Sequence, residues 1–460
     1  MDLPTLNGTS SRTSDTVQIV DVEPTRNPAS SDNATMKDFY VIAAGYIFFT
    51  LTDTAVRMIV LFGLWQRHFQ ALNIAIMFVS YEALGVVTNL FGGIMGSRLG
   101  LRFCLLLGLL LQLVGISLLF VLDREDVSHW SQAAVTGYVV FAQSFSGAAK
   151  DLVKLAGKSS TKLATKAAKN RKTNAGDPLF KLVAWLTGAK NSVKGLGFLI
   201  GAVLINYAGL WRALLVMVLL TLLPLPGVWM WLDPRLGISK DQQRLTLREI
   251  FDKGRDVNML SLARVFLFGS RDLWFEIALP IWLRAQFDWN FTASGAFLAV
   301  WIIIYGAVQT ITPQYILKPL KMYPFKRAKL LVIWTVLLMI ITIAIAAYLT
   351  AVRNKPISDQ KAATLSIISI GLAVFAFVFA VNSSIHSYLI VAYAAKDKIA
   401  INVGFYYCAN ALGRLTGTLL SGFMFQYYGI WVCIWTSVGF LAICTVITAF
   451  FRDVKDANTE

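Results

Sequence analysis

Ionisable side chains recur inside stretches that are otherwise apolar. Asp53 and Arg57 lie four residues apart, Glu82 sits in a run rich in Ala, Leu and Val, and Lys190 and Lys194 are again four apart. Arg264, Arg271, Asp272 and Glu276 crowd one segment, while His386 and Arg414 stand in two more. A charge in hydrocarbon costs about 3 kcal/mol or more, so each must face a water-filled cavity or another charge. For any one of these residues the alternative to a functional role is a structural ion pair, such as Asp53 with Arg57 at i,i+4. The basic groups outnumber the acidic ones, and cations converging near a membrane midplane suit an anionic solute. Arg grips phosphate-like oxygens in pairs, and Lys supplies a point charge. The candidate substrate residues are therefore Arg57, Lys150, Lys190, Lys194, Arg264, Arg271 and Arg414. Asp53, Glu82, Asp272, Glu276 and His386 are candidate proton carriers, and Asn89, Gln143, Asn382 and Asn410 are candidate uncharged donors.

The elements that must position these groups follow from composition. A chain of 460 residues that is 56% hydrophobic and 15% charged carries more apolar surface than a water-soluble core can hide, so its solvent is lipid. Segments long enough to cross roughly 30 Å of hydrocarbon begin near Phe39, Leu72, Leu101, Ser131, Leu182 and Ala213, and again near Val257, Phe291, Ala328, Ala363, Ile401 and Ile430. The expected fold is an all-α membrane protein of about twelve transmembrane helices in two pseudo-symmetric six-helix bundles. Its divisions are a disordered tail (1–37), bundles at 38–232 and 257–452, a linker (233–256) and a second tail (453–460). Lys and Arg gather in alternate loops, which places those loops, the linker and both termini in the cytosol, with the plasma membrane as the default location. Much of the +16 net charge is thus topology, and it carries no implication of nucleic acid. Three histidines and four singly spaced cysteines give no metal-ligand spacing, and no cofactor is implied.

The halves repeat each other. A shift of 220 residues sets Lys194, Gly197, Tyr207, Gly209 and Trp211 on Arg414, Gly417, Tyr427, Gly429 and Trp431, and a shift of 219 sets Asp53 on Asp272. Substrate is then expected between the halves. Lys150, Lys154, Lys158, Lys162 and Lys166 recur every fourth residue and would form one basic helix face. The favoured reading of that face is anchorage to the membrane interface by snorkelling, with concentration of anions at the cytosolic mouth as the alternative. Gly157, Lys158 and Ser159 imitate the end of a P-loop, but Leu152 stands where its first glycine belongs, so nucleotide hydrolysis is excluded. Gly195, Gly197 and Gly201 have the wrong spacing for a dinucleotide turn and read as close helix packing.

The stretch GGIMGSRLGLR, from Gly92 to Arg102, resembles the loop signature of the major facilitator superfamily. Gly93, Arg98, Gly100 and Arg102 match it, and Ser97 replaces its usual acid; the match implies a cytosolic gate. Within that superfamily, TLTDTAVRMIVL, SYEALGVVTNLFGG, SGAAKDLVKLAGKSS, LTGAKNSVKGLGF and ARVFLFGSRDLWFEIALPIWL resemble the ArsJ family of organoarsenical efflux permeases, over residues 38 to 452. That resemblance implies a non-enzymatic exporter of 1-arseno-3-phosphoglycerate, linked functionally to glyceraldehyde-3-phosphate dehydrogenase and conferring arsenate resistance by alternating access. The nearest rival is an organic-phosphate or phosphate antiporter of the same fold. A lipophilic-drug exporter fits the basic residues less well.

Overall fold

In hydrocarbon every backbone N–H and C=O must be bonded within its own segment, which leaves the helix as the choice for these apolar stretches. The computed structural model describes residues 28–170, 178–234, 236, 254–320, 331–354, 360–393 and 399–453. Within those ranges, the side chains of 28–36, 90–99, 158–170, 178–189, 313, 391–392, 399–401 and 403 lie outside the description. The first half comprises α1 (Pro28–Gln66), α2 (Ala71–Met77), α3 (Val79–Leu99), α4 (Leu101–Leu119), α5 (Gln132–Asn170), α6 (Pro178–Tyr207), α7 (Gly209–Leu222) and α8 (Leu225–Trp231). The second comprises α9 (Arg255–Phe275), α10 (Ala278–Phe287), α11 (Phe291–Ile311), α12 (Leu331–Val352), α13 (Lys361–Tyr393), α14 (Ile399–Tyr428) and α15 (Ile430–Ala449). The pairs α2–α3, α7–α8 and α9–α10 each form one interrupted rod, so the described helices make twelve rods.

The interruptions have local causes. Pro224 separates α7 from α8, where it removes a backbone donor. Pro280 crowds the carbonyl four residues before it, that of Glu276, and the helix breaks there between α9 and α10. The N–H of Ala278 freed by that break donates to Ser421 Oγ at 3.3 Å. A proline thus sets the backbone break at which Glu276 sits.

Eight of the rods are long and apolar enough to cross a membrane. The other four are α5, α6, α9–α10 and α14, whose sequences carry Lys150 to Lys154, Lys190 and Lys194, Arg264 to Glu276, and Arg414. Large aliphatic side chains such as Leu110, Leu219, Ile340, Ile370 and Val446 face outward, as a lipid-bathed surface requires. The chain is an integral multi-pass membrane protein.

The packing repeats between halves. Helix α1 lies against α6 as α9 lies against α14, and the halves join where α6 meets α11 and where α2 and α3 meet α14. Two glycines set the equivalent close approaches. A Cβ on Gly197 would stand 2.7 Å from the Leu51 carbonyl oxygen, and one on Gly417 would stand 2.7 Å from that of Gly269. At the end of the bundle holding the α1–α2 turn, Gln426 closes the seam between halves: its Oε1 accepts from the Leu72 N–H at 3.1 Å and its Nε2 donates to Gln70 Oε1 at 2.8 Å.

Gly417→Val and Gly197→Val should each force apart helices that meet backbone to backbone, at a cost of about 1–3 kcal/mol or more. The expected outcome is loss of most of the monodisperse peak in size-exclusion chromatography of the detergent-extracted protein. Gly439→Ala, whose Cβ would meet nothing within 4 Å, should leave that peak unchanged.

Candidate functional site

The buried charges converge at the seam. Arg57 on α1 donates to Glu82 Oε1 on α3 at 3.2 Å and, across the halves, to Glu276 Oε2. Arg414 on α14 reaches Glu82 Oε1 at 2.7 Å, Glu276 Oε1 at 3.3 Å and Asp272 Oδ2 at 3.5 Å. Lys150 on α5 approaches Glu82 Oε2 at 3.3 Å, and Lys194 on α6 approaches Glu276 Oε1 at 3.5 Å. Glu82 and Glu276 are therefore each matched by three cations drawn from both halves. Their side chains are 1% and 4% exposed, whereas Lys150, Lys194 and Arg414 keep 15–18%. The carboxylates and Arg57 are sealed inside, and Lys150, Lys194 and Arg414 are the members of the network that keep accessible surface.

The repeat explains this geometry. Arg57 and Glu276 are 219 residues apart, the same shift that relates Asp53 to Asp272, so they occupy equivalent places in the two halves and bond to each other. Lys194 and Arg414, equivalent at 220, both turn to Glu276.

The alternative of an Asp53–Arg57 ion pair is not what forms. Asp53 instead accepts the Tyr81 hydroxyl at 2.6 Å, and the Arg57 guanidinium lies over the Tyr81 and Phe78 rings while its hydrogen bonds go to Glu82 and Glu276. Two carboxylates, one from each half, outcompete a single neighbour along the helix.

The described part of the lysine face also differs from the anchorage reading. Lys150 sits 3.9 Å over the Tyr81 ring, and Lys154 donates to Asn89 Oδ1 at 3.0 Å and lies 3.5 Å from Asp151. Both point into the bundle; Lys158, Lys162 and Lys166 lie outside the described side chains. Asp151 also accepts from Thr88 Oγ1 at 2.7 Å and Asn89 Nδ2 at 3.0 Å. Tyr81 and Asp151 are members of the site that sequence reasoning passed over, and Lys154 is legible in sequence only as part of the lysine face. The available signal was Asp151, an acid set between Lys150 and Lys154 where a membrane-anchoring face would have none.

Lys190 on α6 differs from the other lysines. Among the described residues it has no carboxylate within ion-pair distance, and the strongest charge effects on it come from Lys154, Lys194, Arg414 and Lys150, all cationic. Arg264 on α9, 4% exposed, likewise lacks a described carboxylate; its Nε donates to Asn410 Oδ1 at 3.0 Å and its Nη1 to Ser383 Oγ at 3.3 Å. Arg271 pairs with its neighbour Asp272 at 2.6 Å and lies over the Phe268 and Phe379 rings. In the described cluster eight basic side chains (Arg57, Lys150, Lys154, Lys190, Lys194, Arg264, Arg271, Arg414) face five acidic ones (Asp53, Glu82, Asp151, Asp272, Glu276).

His386 is fully buried, with no described hydrogen-bond partner at either ring nitrogen, and Gln143 is in the same position. Asn382 donates to Thr335 Oγ1 at 3.1 Å, away from the charges. In the loop signature, Gly100 takes a φ of 80° at the start of α4, a left-handed conformation suited to glycine. Arg102 donates to the Trp229 carbonyl at 2.6 Å, a partner in its own half. The side chains of Gly93 and Arg98 lie outside the description. Among the described residues no group of three or more His, Cys, Asp or Glu is gathered so as to hold a metal ion.

No family profile and no curated protein matches the sequence. Among solved structures, the crystal structure of a bacterial homologue of the iron transporter ferroportin, in an outward-facing state, matches with a TM-score of 0.62. The match covers 89% of this chain and 98% of that one, at 14% identity. The chain has the major facilitator fold. At that identity the likeness extends to the fold and not to cargo.

Arg57→Gln leaves Glu276 with Lys194 and Arg414, and Glu276→Gln leaves Arg57 with Glu82, so each change alone loses a charged hydrogen bond without stranding a lone charge and should destabilise by about 1–3 kcal/mol. The double variant should recover about 1–3 kcal/mol of the summed loss in a thermal-melt cycle.

Proposed function

We propose that this chain is an efflux transporter for a small anionic organoarsenical, 1-arseno-3-phosphoglycerate, and that it confers arsenate resistance by alternating access of a central site to the two sides of the membrane. The observation that carries the reading is the excess of cations buried at the seam, eight basic side chains to five acidic ones, with Lys190 lacking a carboxylate within ion-pair distance among the described residues. A surplus of buried positive charge is costly, and an anion that joins it relieves that cost. Oxyanions of phosphate or arsenate esters match Lys and Arg donors, whereas a metal-cation cargo would be repelled by them. The resemblance of the blocks around Lys150 and Arg271 to the organoarsenical permeases supplies the specific solute. In this reading Arg57, Lys150, Lys190, Lys194, Arg264, Arg271 and Arg414 serve the solute. The termini lie in the cytosol of a plasma-membrane protein, and glyceraldehyde-3-phosphate dehydrogenase supplies the cargo when it uses arsenate in place of phosphate.

Among the candidate proton carriers, Asp53 stands apart because its hydrogen-bond partner is a hydroxyl, while Glu82, Asp272 and Glu276 are tied to cations. A carboxylate bonded to one hydroxyl has the least to lose on taking a proton.

Cells expressing the chain should accumulate less total arsenic only when arsenate and active dehydrogenase are both present. Lys190→Gln should abolish that difference while the purified protein melts as the wild type does. Reduced arsenite accumulation, or no change with arsenate, would reject the organoarsenical reading. Flux of glycerol phosphate in place of arsenic would establish the organic-phosphate antiporter. In proteoliposomes, Asp53→Asn should flatten the pH dependence of transport; an unchanged pH profile would remove Asp53 from proton coupling.

A further inference from the structure

The cluster around Lys190 is one pole of positive charge, and the fold builds a second. Arg264 is a buried guanidinium whose described hydrogen bonds go only to neutral groups, Asn410 and Ser383, with the Phe268 ring 3.6 Å and the Tyr406 ring 4.9 Å from its central carbon. No described hydrogen bond uses its Nη2. Ser383 Oγ accepts from Arg264 at 3.3 Å and from Gln309 Nε2 at 3.3 Å, with the Tyr305 hydroxyl 3.5 Å away, which leaves its own O–H to donate. Gln309 Oε1 in turn accepts from Asn191 Nδ2 at 3.0 Å. Asn191 follows Lys190 on α6, so three hydrogen bonds run from the Lys190 position, through α11 and α13, to Arg264 on α9. A neutral polar wall of amide and hydroxyl groups thus runs between Arg264 and Asn191, the chain neighbour of Lys190.

We infer that Arg264, with Ser383 and Asn410, forms a second oxyanion subsite, so that the pocket holds a solute with an anionic group at each end and polar atoms between. This rests on the proposal that the chain carries an organic anion, and it adds which end is held where and why a one-ended phosphate is a poor ligand. The guanidinium offers unused N–H groups to one oxyanion, the lysine cluster takes the other, and the Asn191–Gln309–Ser383 wall faces the hydroxylated carbons between them. A buried guanidinium matched only by neutral groups leaves its charge for the ligand to balance. Gln309 and Ser383, neither charged nor noticeable in sequence, become determinants of specificity.

The matched probes are 3-phosphoglycerate, with a carboxylate and a phosphate at opposite ends, and glycerol 3-phosphate, in which the carboxylate end is an alcohol. Calorimetric titration of the purified full-length protein should show 3-phosphoglycerate binding about tenfold to a hundredfold more tightly. Arg264→Gln should reduce 3-phosphoglycerate to the affinity of glycerol 3-phosphate, while Lys190→Gln weakens both. Ser383→Ala, which leaves the guanidinium in place, should narrow the preference. Equal affinity of the wild type for the two probes would overturn the second subsite, as would a preference that survives both Arg264→Gln and Ser383→Ala. Binding of neither probe by the wild type would overturn the organic-anion reading and this inference with it.

Discussion

Arg57 and Glu276 meet where the two halves of the molecule face each other, and the rest of the interior is arranged around the need to keep that pair compensated. Neither half is electrically complete. The first buries Arg57 and Lys150 against Glu82, and the second supplies Glu276 to Arg57 and Lys194 and receives Glu82 for Arg414. In a low-dielectric interior an unmatched charge is far more costly than a surface one, so each half needs the other as its counter-ion. The helix break before Pro280 and the close approaches at Gly197 and Gly417 make those distances attainable.

This arrangement joins cohesion to recognition. The carboxylates that hold the halves together are sealed with Arg57, while Lys150, Lys194 and Arg414 around them retain accessible surface. In the proposed export cycle, an oxyanion reaching Lys194 or Arg414 competes with Glu276 and Glu82 for the same donors, so occupancy shifts the balance of bonds that cross the seam. An equilibrium between two arrangements moves only as far as the ligand prefers one of them. A network in which three cations share each carboxylate offers many such preferences, because a donor lost to the solute leaves two others in place. At the end of the bundle marked by the α1–α2 turn, the seam is held by neutral amides, Gln70 and Gln426, whose bonds cost less to break than buried ion pairs.

Much of this architecture is legible in the order of residues along the chain. Twelve apolar stretches, their division into two sixes and the 219–220 residue repeat follow from chain chemistry alone, since the length of a span and the need to bond every backbone group inside it leave few alternatives. The same logic marks Arg57, Glu82, Lys190, Lys194, Arg264, Arg271, Asp272, Glu276 and Arg414 as inward-facing, because lipid will not take them. Pro280 is visible as a helix breaker. The packing role of Gly195, Gly197 and Gly201 is legible in their spacing, and the structure sets each of them against a neighbouring helix.

What sequence could not supply is partnership. Asp53 and Arg57 look paired at i,i+4, yet the pair loses to Tyr81, Glu82 and Glu276: Tyr81 lies 28 residues from Asp53, while Glu82 and Glu276 lie 25 and 219 from Arg57. Lys150 and Lys154 look like an interfacial face until α5 is rotated against α3 and Asp151 shares the interior with them. Gln309 and Ser383 carry no charge to announce them and acquire meaning only where α11 and α13 place them between Asn191 and Arg264. The sequence by itself determined that the charges are buried, that the fold is a duplicated helical membrane bundle and that cations are in excess, because these depend on composition and order along one chain. Which charge answers which was decided by tertiary structure alone, because helix rotation and the meeting of the two halves are fixed by packing among segments hundreds of residues apart.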